Sequence, residues 1–217
     1  MNKLRPLAAL ALVGALTAAC ATTPVTPPPM ATLEYAGAGC TSAPDLTKAI
    51  SLTPPKEQAT FSVPAPQATG CLTRVDGGAT PYVVYSLPAD YADKTIIVGS
   101  VLEPHRILSP AVAILNRDGQ ESRSFDAADF LYRGPVFSVQ FRPRETEAYV
   151  LVTTDPSRVG QHYDAITVGV ATTTVYTGYG ASNWSSGFET NLSRTFSWEG
   201  TAYVTVADTD TKEEGGR

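Results

Sequence analysis

The sequence predicts an all-β protein: a β-sandwich of jelly-roll type, preceded by a signal peptide and a Pro-rich tether. Three observations support this fold class. Short runs of β-branched and bulky apolar residues recur along the chain, as expected of strands on a half-buried sheet. Gly and Pro, with 17 residues each in a chain of 217, separate these runs and favour turns over long helices. The spacing gives seven to nine short strands, which is typical of a sandwich.

The N-terminus has the pattern of an export signal. Lys3 and Arg5 precede an apolar run at residues 7–16, which is too short to span a bilayer as a permanent helix. Small residues then lead into Cys20, as in the bacterial lipobox, and predict a lipid on the Cys20 thiol. The alternative is ordinary cleavage at an Ala-x-Ala site, with Cys20 incidental. Because Ala21 rather than Asp follows the cysteine, we expect a periplasmic protein anchored to the outer membrane.

The chain divides into four predicted segments. Residues 1–19 form the signal peptide. Residues 20–31 contain four prolines, which predict a stiff, extended tether of roughly 30 Å. The sandwich domain occupies residues 32–207, and the polar tail at 208–217 is predicted to be disordered.

The cysteine count agrees with an exported protein. Three cysteines are present, and lipidation of Cys20 leaves Cys40 and Cys71 as a pair. Because an exported chain folds in an oxidising space, we expect a Cys40–Cys71 disulfide. No metal site or other cofactor is expected, since His105 and His162 are the two histidines and neither lies near a cysteine.

The central strands carry the predicted core. Apolar runs at residues 83–85, 96–98 and 112–115 read as strands, and the Asp-Gly pair at 118–119 closes the last of them with a tight turn. Residues 137–141 alternate between apolar and polar, whereas residues 148–152 are apolar on both faces and should form an interior strand. Predicted core side chains are Val84, Ile97, Ile114, Val139 and Leu151.

The flanking elements are predicted from shorter signals. Strands are expected at residues 59–63, 165–170 and 202–206. A short helical turn is expected at residues 45–50, before Pro54 and Pro55. Another is expected at residues 124–132, with Phe125, Phe130 and Leu131 directed inward.

Three segments carry a family resemblance: YSLPADYADKTIIVGSVLEPHRILSPAVAILNRDG at residues 85–119, FLYRGPVFSVQF at 130–141 and EAYVLVTTDPSRVGQ at 147–161. Together they resemble the MalM-like maltose operon periplasmic proteins, over about residues 42–168. The resemblance implies an exported β-sandwich protein associated with maltose or maltodextrin uptake. It carries over no catalytic residues.

The sequence predicts neither an enzyme nor a nucleic-acid-binding protein. The formal net charge of −5 lacks the basic stripe that phosphate backbones require. No G-x-S-x-G elbow or phosphate-binding loop is present, and both histidines are expected in solvated loops. Two acidic pairs could serve a glycosidase or bind calcium, but such pairs more often keep a surface soluble: Asp126 with Asp129, and Asp208 with Asp210.

The strongest candidate for ligand binding is the segment at residues 176–188, YTGYGASNWSSGF. In a loop, Tyr176, Tyr179 and Trp184 could present flat rings to a sugar, and Asn183 could supply hydrogen bonds. The alternative, which the sequence favours, is a long hairpin whose aromatic side chains fold back on the sandwich. Trp198, beside Phe196, is expected to be buried.

Two functions from different classes follow. One is a non-catalytic envelope lipoprotein, accessory to the uptake or binding of an oligosaccharide such as maltodextrin. The other is a structural or interaction module that docks on another envelope protein.

Overall fold

The computed structural model describes residues 26–56, 60–65, 70–91, 94–125 and 127–208. Within them, two 3-10 turns, Leu46–Lys48 and Ala127–Asp129, accompany fourteen strands. The strands are β1 (Ile50–Ser51), β2 (Thr60–Ala65), β3 (Gly70–Thr73), β4 (Ala79–Ser86), β5 (Lys94–Val101), β6 (Arg106–Leu108), β7 (Pro110–Asn116), β8 (Glu121–Phe125), β9 (Leu131–Arg133), β10 (Val136–Phe141), β11 (Glu147–Thr154), β12 (His162–Thr177), β13 (Gly180–Ser197) and β14 (Ala202–Asp208). The predicted all-β class is confirmed.

Two sheets form the body of the protein. The first has the order β1-β4-β11-β7-β8, with β3 also paired to β4. The second has the order β2-β14-β5-β10-β9. A third, small sheet joins β12, β13 and β6. β11 lies between β4 and β7, so the strand predicted from apolar residues on both faces is an interior one, as expected. A jelly-roll strand order is not confirmed.

The main core lies between the first two sheets. Alternate residues of β4, β7 and β11 face alternate residues of β5, β10 and β14, which is the arrangement of a sandwich. Ile114 and Val139, both predicted as core residues, lie in this layer. Gly99 lets β10 approach closely, because a Cβ at this position would lie 2.0 Å from the Phe137 carbonyl oxygen.

A second apolar cluster covers the outer face of the first sheet. Val84 and Leu151, predicted as core residues, lie here rather than between the sheets. They pack beneath Leu46 and Ala49 from the N-terminal 3-10 turn. The prediction for Ile97 was wrong: it is half-buried, because Ile96 and Val98 on either side of it take the inward positions of the strand.

Three local predictions also need correction. β2 continues through Pro64, which an edge strand tolerates because one side of its backbone needs no partner. The helical turn expected at residues 124–132 is a 3-10 turn between two strands, β8 and β9. Phe130 is buried as expected, but Leu131 is exposed.

The N-terminal segment is fastened to the sandwich at two points. The Trp198 N–H donates to the Thr32 carbonyl (2.9 Å), and the Thr32 N–H donates to Ser197 Oγ (2.8 Å). At the other point, the predicted Cys40–Cys71 disulfide is confirmed, with 4.6 Å between the Cα atoms. Thr41 continues the attachment by hydrogen bonds to the backbone on both sides of Leu72.

Removal of this disulfide has a predictable effect. Replacement of Cys40 and Cys71 together by Ser is expected to lower the free energy of unfolding by about 3 kcal/mol, because the bridge joins residues 31 apart and restricts the unfolded chain. Urea unfolding of the two proteins measures the difference. The β-sheet circular dichroism signal should persist, since the main core contains neither cysteine. A variant without β structure at room temperature would contradict the prediction.

Several predicted features lie outside the described residues: the signal peptide, the lipidation site Cys20, Asp126, and the tail beyond Asp208 with Asp210. Within the described ranges, the structure has no helix with the length and hydrophobicity needed to cross a lipid bilayer.

Candidate functional site

β12 and β13 form a long two-stranded ribbon that leaves the sandwich. Their register runs through sixteen consecutive pairs, from His162 with Thr195 to Thr177 with Gly180, without a bulge. At about 3.3 Å per residue the ribbon is roughly 50 Å long. The segment at residues 176–188 is therefore not a loop, because the turn itself occupies only positions 178 and 179. The hairpin alternative was correct on this point.

The aromatic side chains of the ribbon do not fold back on the sandwich. Tyr176 is 82% exposed, Tyr179 105% and Trp184 72%. The favoured expectation that they pack in the core was therefore wrong. The strands continue outward as a ribbon with both faces in solvent, and so no apolar layer lies opposite these rings.

The predicted ligand-binding residues lie on different faces of the ribbon. Tyr176 pairs with Ala181, and Thr174 pairs with Asn183, which places Tyr176 and Asn183 on one face. Trp184 is next to Asn183 in the strand and so points to the other face. Asn183 Oδ1 already accepts a hydrogen bond from Thr174 Oγ1 (2.9 Å). The ribbon thus presents separate rings rather than one concave site.

An aromatic cluster attaches the base of the ribbon to the sandwich. The Tyr163 ring of β12 stacks on Tyr132 of β9, with 3.8 Å between centroids. Tyr132 in turn contacts Phe137, whose ring also meets Phe130 and Phe196. Burial in this cluster is the main cause that raises the pKa of Tyr132 to about 12. Its hydroxyl therefore stays protonated and neutral at physiological pH.

Both histidines lie near Thr195, at the base of the ribbon. The Thr195 N–H donates to the His105 carbonyl (3.1 Å), and Thr195 Oγ1 lies 3.1 Å from His162 Nδ1. His162 is the first residue of β12 and not part of a loop as expected. Among the described residues, no group of three or more His, Cys, Asp or Glu side chains is placed to hold a metal ion.

A concave site lies where the N-terminal segment crosses the sandwich. Because this segment is held at Thr32 and again at Cys40, it forms one wall of a cleft of about 650 Å³. The other walls come from β3, β4, β6, β11 and the residues after β13. Volumes of this size are typical of small-molecule sites.

Two stacked rings form the aromatic part of the cleft. Tyr35 lies on Trp198, with 5.9 Å between centroids and 27° between planes. The Arg74 guanidinium lies 5.7 Å from the centroid of the Trp198 ring. The expectation that Trp198 is buried was wrong: it is half-buried, because it lies just beyond the end of β13 and lines the cleft.

The polar part of the cleft combines a cation, a carboxylate and hydroxyl groups. The Arg106 side chain is held by Glu103, with 2.7 Å between Nε and Oε2, and Glu103 also accepts two hydrogen bonds from Thr201. Glu199 is exposed at the rim and accepts a bond from Thr32 Oγ1 (3.3 Å). Burial, and to a lesser extent Glu199, raise the pKa of Tyr35, so its hydroxyl remains protonated. Thr153 and Thr154 also line the cleft.

Sequence reasoning missed this cleft. Tyr35 is far from Trp198 in the chain, and no periodicity connects the two. The one available signal was the cysteine pair, because a Cys40–Cys71 bridge brings the segment after Tyr35 against β3. The chemistry of the assembled site suits a neutral ligand with hydroxyl groups, which can lie against aromatic rings and exchange hydrogen bonds with Tyr35, Thr153 and Glu199.

A comparison of this chain with known protein families, with curated proteins and with solved structures finds no match in any of the three. The resemblance to the MalM-like proteins therefore stays a prediction.

Proposed function

We propose that this protein is a non-catalytic lipoprotein of the bacterial cell envelope that binds a neutral oligosaccharide in the Tyr35–Trp198 cleft. The observation that carries the proposal is the combination of stacked aromatic rings with hydroxyl, carboxylate and guanidinium groups in one concave site. Maltodextrin is the first ligand to test, because the sequence resembles proteins associated with maltose uptake. The protein would act as an accessory to uptake, holding the sugar close to the outer membrane.

The two tryptophans allow a matched test of the binding site. Trp198 lines the cleft, whereas Trp184 is exposed on the ribbon. We expect maltodextrin to bind the full chain in isothermal titration calorimetry and Trp198→Ala to weaken that binding by roughly ten-fold or more, because a stacking surface is lost. Trp184→Ala should bind as the wild type does.

A second variant separates binding from folding. Glu199→Gln changes an exposed side chain at the rim, so it should keep the wild-type melting temperature while weakening binding of the sugar hydroxyls. If Trp184→Ala alone lost binding, the ribbon would be the sugar site, as the sequence first suggested. If the wild-type protein gave no titration with maltodextrins, carbohydrate binding would be refuted.

The membrane anchor is a separate prediction. Lipidation of Cys20 would attach the protein to the outer membrane through the Pro-rich tether. Wild-type protein is therefore expected in the membrane pellet of the producing bacterium, and Cys20→Ala in the soluble periplasmic fraction, because the thiol that carries the lipid is gone. Mass spectrometry of the mature wild-type N-terminus provides the control. A soluble wild-type protein without lipid would contradict the prediction.

The second candidate function is an interaction module that docks on another envelope protein. The ribbon favours it, because its apolar side chains point into solvent instead of into the sandwich. Under this alternative the cleft would bind no sugar, and a pulldown from envelope extracts would recover a partner that depends on the ribbon.

A further inference from the structure

The ribbon combines an absence of charge with exposure of apolar side chains. Residues 165–188 contain no Asp, Glu, Lys, Arg or His. On one face of β12, Ile166, Val168 and Val170 follow one another at alternate positions, and all three are largely exposed. An isolated two-stranded hairpin is only marginally stable in water. A ribbon of this length and composition is therefore expected to be covered in the working protein.

The outer edge of β12 is open and unprotected. β12 pairs with β13 on one side, and no strand of the described chain pairs with its other side. Natural edge strands are usually guarded by Lys, Pro or a bulge. Residues 165–177 contain no charged residue and no proline, and their register with β13 is continuous. Thirteen consecutive residues thus present free backbone groups to a partner strand.

The edge of β13 is a poorer partner. Its residues 180–187 are Gly, Ala, Ser, Asn and Trp, and Gly and Asn are disfavoured in strands. Closer to the sandwich this strand carries Glu189 and Arg194, and its last residues pair with β6. β12 instead contains mainly Thr, Val and Ile, which are favoured in strands. Pairing at the ribbon should therefore use β12.

We propose that β12 pairs along its outer edge with β12 of a second copy of this chain, so that two ribbons form one four-stranded sheet. An antiparallel strand pair between identical strands satisfies a two-fold axis, the commonest symmetry of protein dimers. Thirteen paired residues give about one backbone hydrogen bond each, which matches the roughly ten of a typical interface. The inference is independent of sugar binding in the cleft.

Charge and register both favour a second copy. Each protein carries a net charge of −5, so two copies repel each other wherever charged surfaces meet, and the uncharged edge is where they can approach. A two-fold axis through Ala171 uses all of residues 165–177. It sets Ile166 opposite Tyr176 and Val170 opposite Thr172 of the second copy, and an aromatic ring beside a β-branched residue is a favourable cross-strand pair.

Opposite charges at the two-fold axis test the proposal. The full chain carrying Cys20→Ala, which removes the expected lipid, is examined by sedimentation velocity over a range of concentrations. We expect dimers, and we expect Ala171→Lys and Ala171→Glu, each alone, to raise the dimer dissociation constant by roughly ten-fold or more, because like charges then lie opposite each other. An equal mixture of the two variants should restore the dimer.

Two controls keep the result decisive. Val75→Lys places the same charge in the exposed turn between β3 and β4 and should leave the dimer unchanged. Mild oxidation should cross-link two copies of Ala171→Cys but not of Ala181→Cys, which lies on β13. Sugar titration of Ala171→Lys should match the wild type, so a failure in the cleft and a failure at the ribbon are distinguishable.

Several outcomes would overturn the proposal. A wild-type protein that is monomeric throughout, a dimer insensitive to Ala171→Lys, or a mixture that stays monomeric would exclude this pairing of β12. A dimer disrupted by Val75→Lys would place the interface elsewhere. A monomer that captures a different envelope protein through the ribbon would assign the edge to that partner.

Discussion

Phe137→Ala is expected to lower the free energy of unfolding by about 3–5 kcal/mol, the usual cost of deleting a large aromatic side chain from a core. Phe137 is buried on β10 and its ring contacts those of Phe130, Tyr132 and Phe196. The Arg158 guanidinium also lies 5.1 Å from its centroid. Because Phe196 belongs to β13, the change removes packing both between the sheets and at the base of the ribbon.

Urea unfolding followed by circular dichroism measures the effect. Phe137→Leu is the matched control: it stays apolar and retains much of the volume, so its cost should be clearly smaller than that of Ala. If Phe137→Ala cost less than about 1 kcal/mol, the ring cluster would not be the packed centre described above.

Arg123→Met is expected to lower the free energy of unfolding by about 3 kcal/mol, because it leaves a buried carboxylate without its cation. Glu147 is buried at the start of β11. Its Oε2 accepts hydrogen bonds from Arg123 Nη2 (3.0 Å) and from the Arg144 N–H (2.7 Å). Arg123 Nε lies 2.9 Å from Oε1, but the N–H does not point at that oxygen, so this contact is electrostatic only.

The expected cost lies at the lower end of the range for buried ion pairs. The Arg123 side chain is 22% exposed, so water can enter when the guanidinium is removed and partly solvate Glu147. The double variant Arg123→Met with Glu147→Gln should recover much of the loss, because no uncompensated charge remains buried. Thermal and urea unfolding of the three proteins gives the coupling energy. A single Arg123→Met variant as stable as the wild type would contradict the prediction.

The strands of the sandwich were predictable because each carries its own local signal. The runs at residues 83–85, 96–98 and 112–115 lie in β4, β5 and β7, and the interior position of β11 followed from its apolar residues on both faces. Alternation alone does not say which of two apolar neighbours faces the core. Ile97 was assigned inward for that reason, although Ile96 and Val98 occupy the inward positions.

The candidate sites were less predictable, because each depends on what lies opposite a side chain. Gly, Ser and Asn at residues 178–187 indicated a loop, yet pairing with β12 keeps all but the turn extended. The same local sequence can be loop or strand, since β propensity is weak compared with the pairing of neighbouring strands. Trp198 was expected to be buried for its position beside Phe196, but the chain beyond β13 leaves the sheet there.

By itself the sequence determined the all-β class, the positions of most core strands and the Cys40–Cys71 pair, because side-chain period, turn chemistry and cysteine parity are properties of short stretches. Only the tertiary structure decided that Tyr35 stacks on Trp198, that Tyr176 and Trp184 point away from each other, and that β12 ends the ribbon with an open edge. These features arise from contacts between residues far apart in the chain, for which a single sequence contains no local signal.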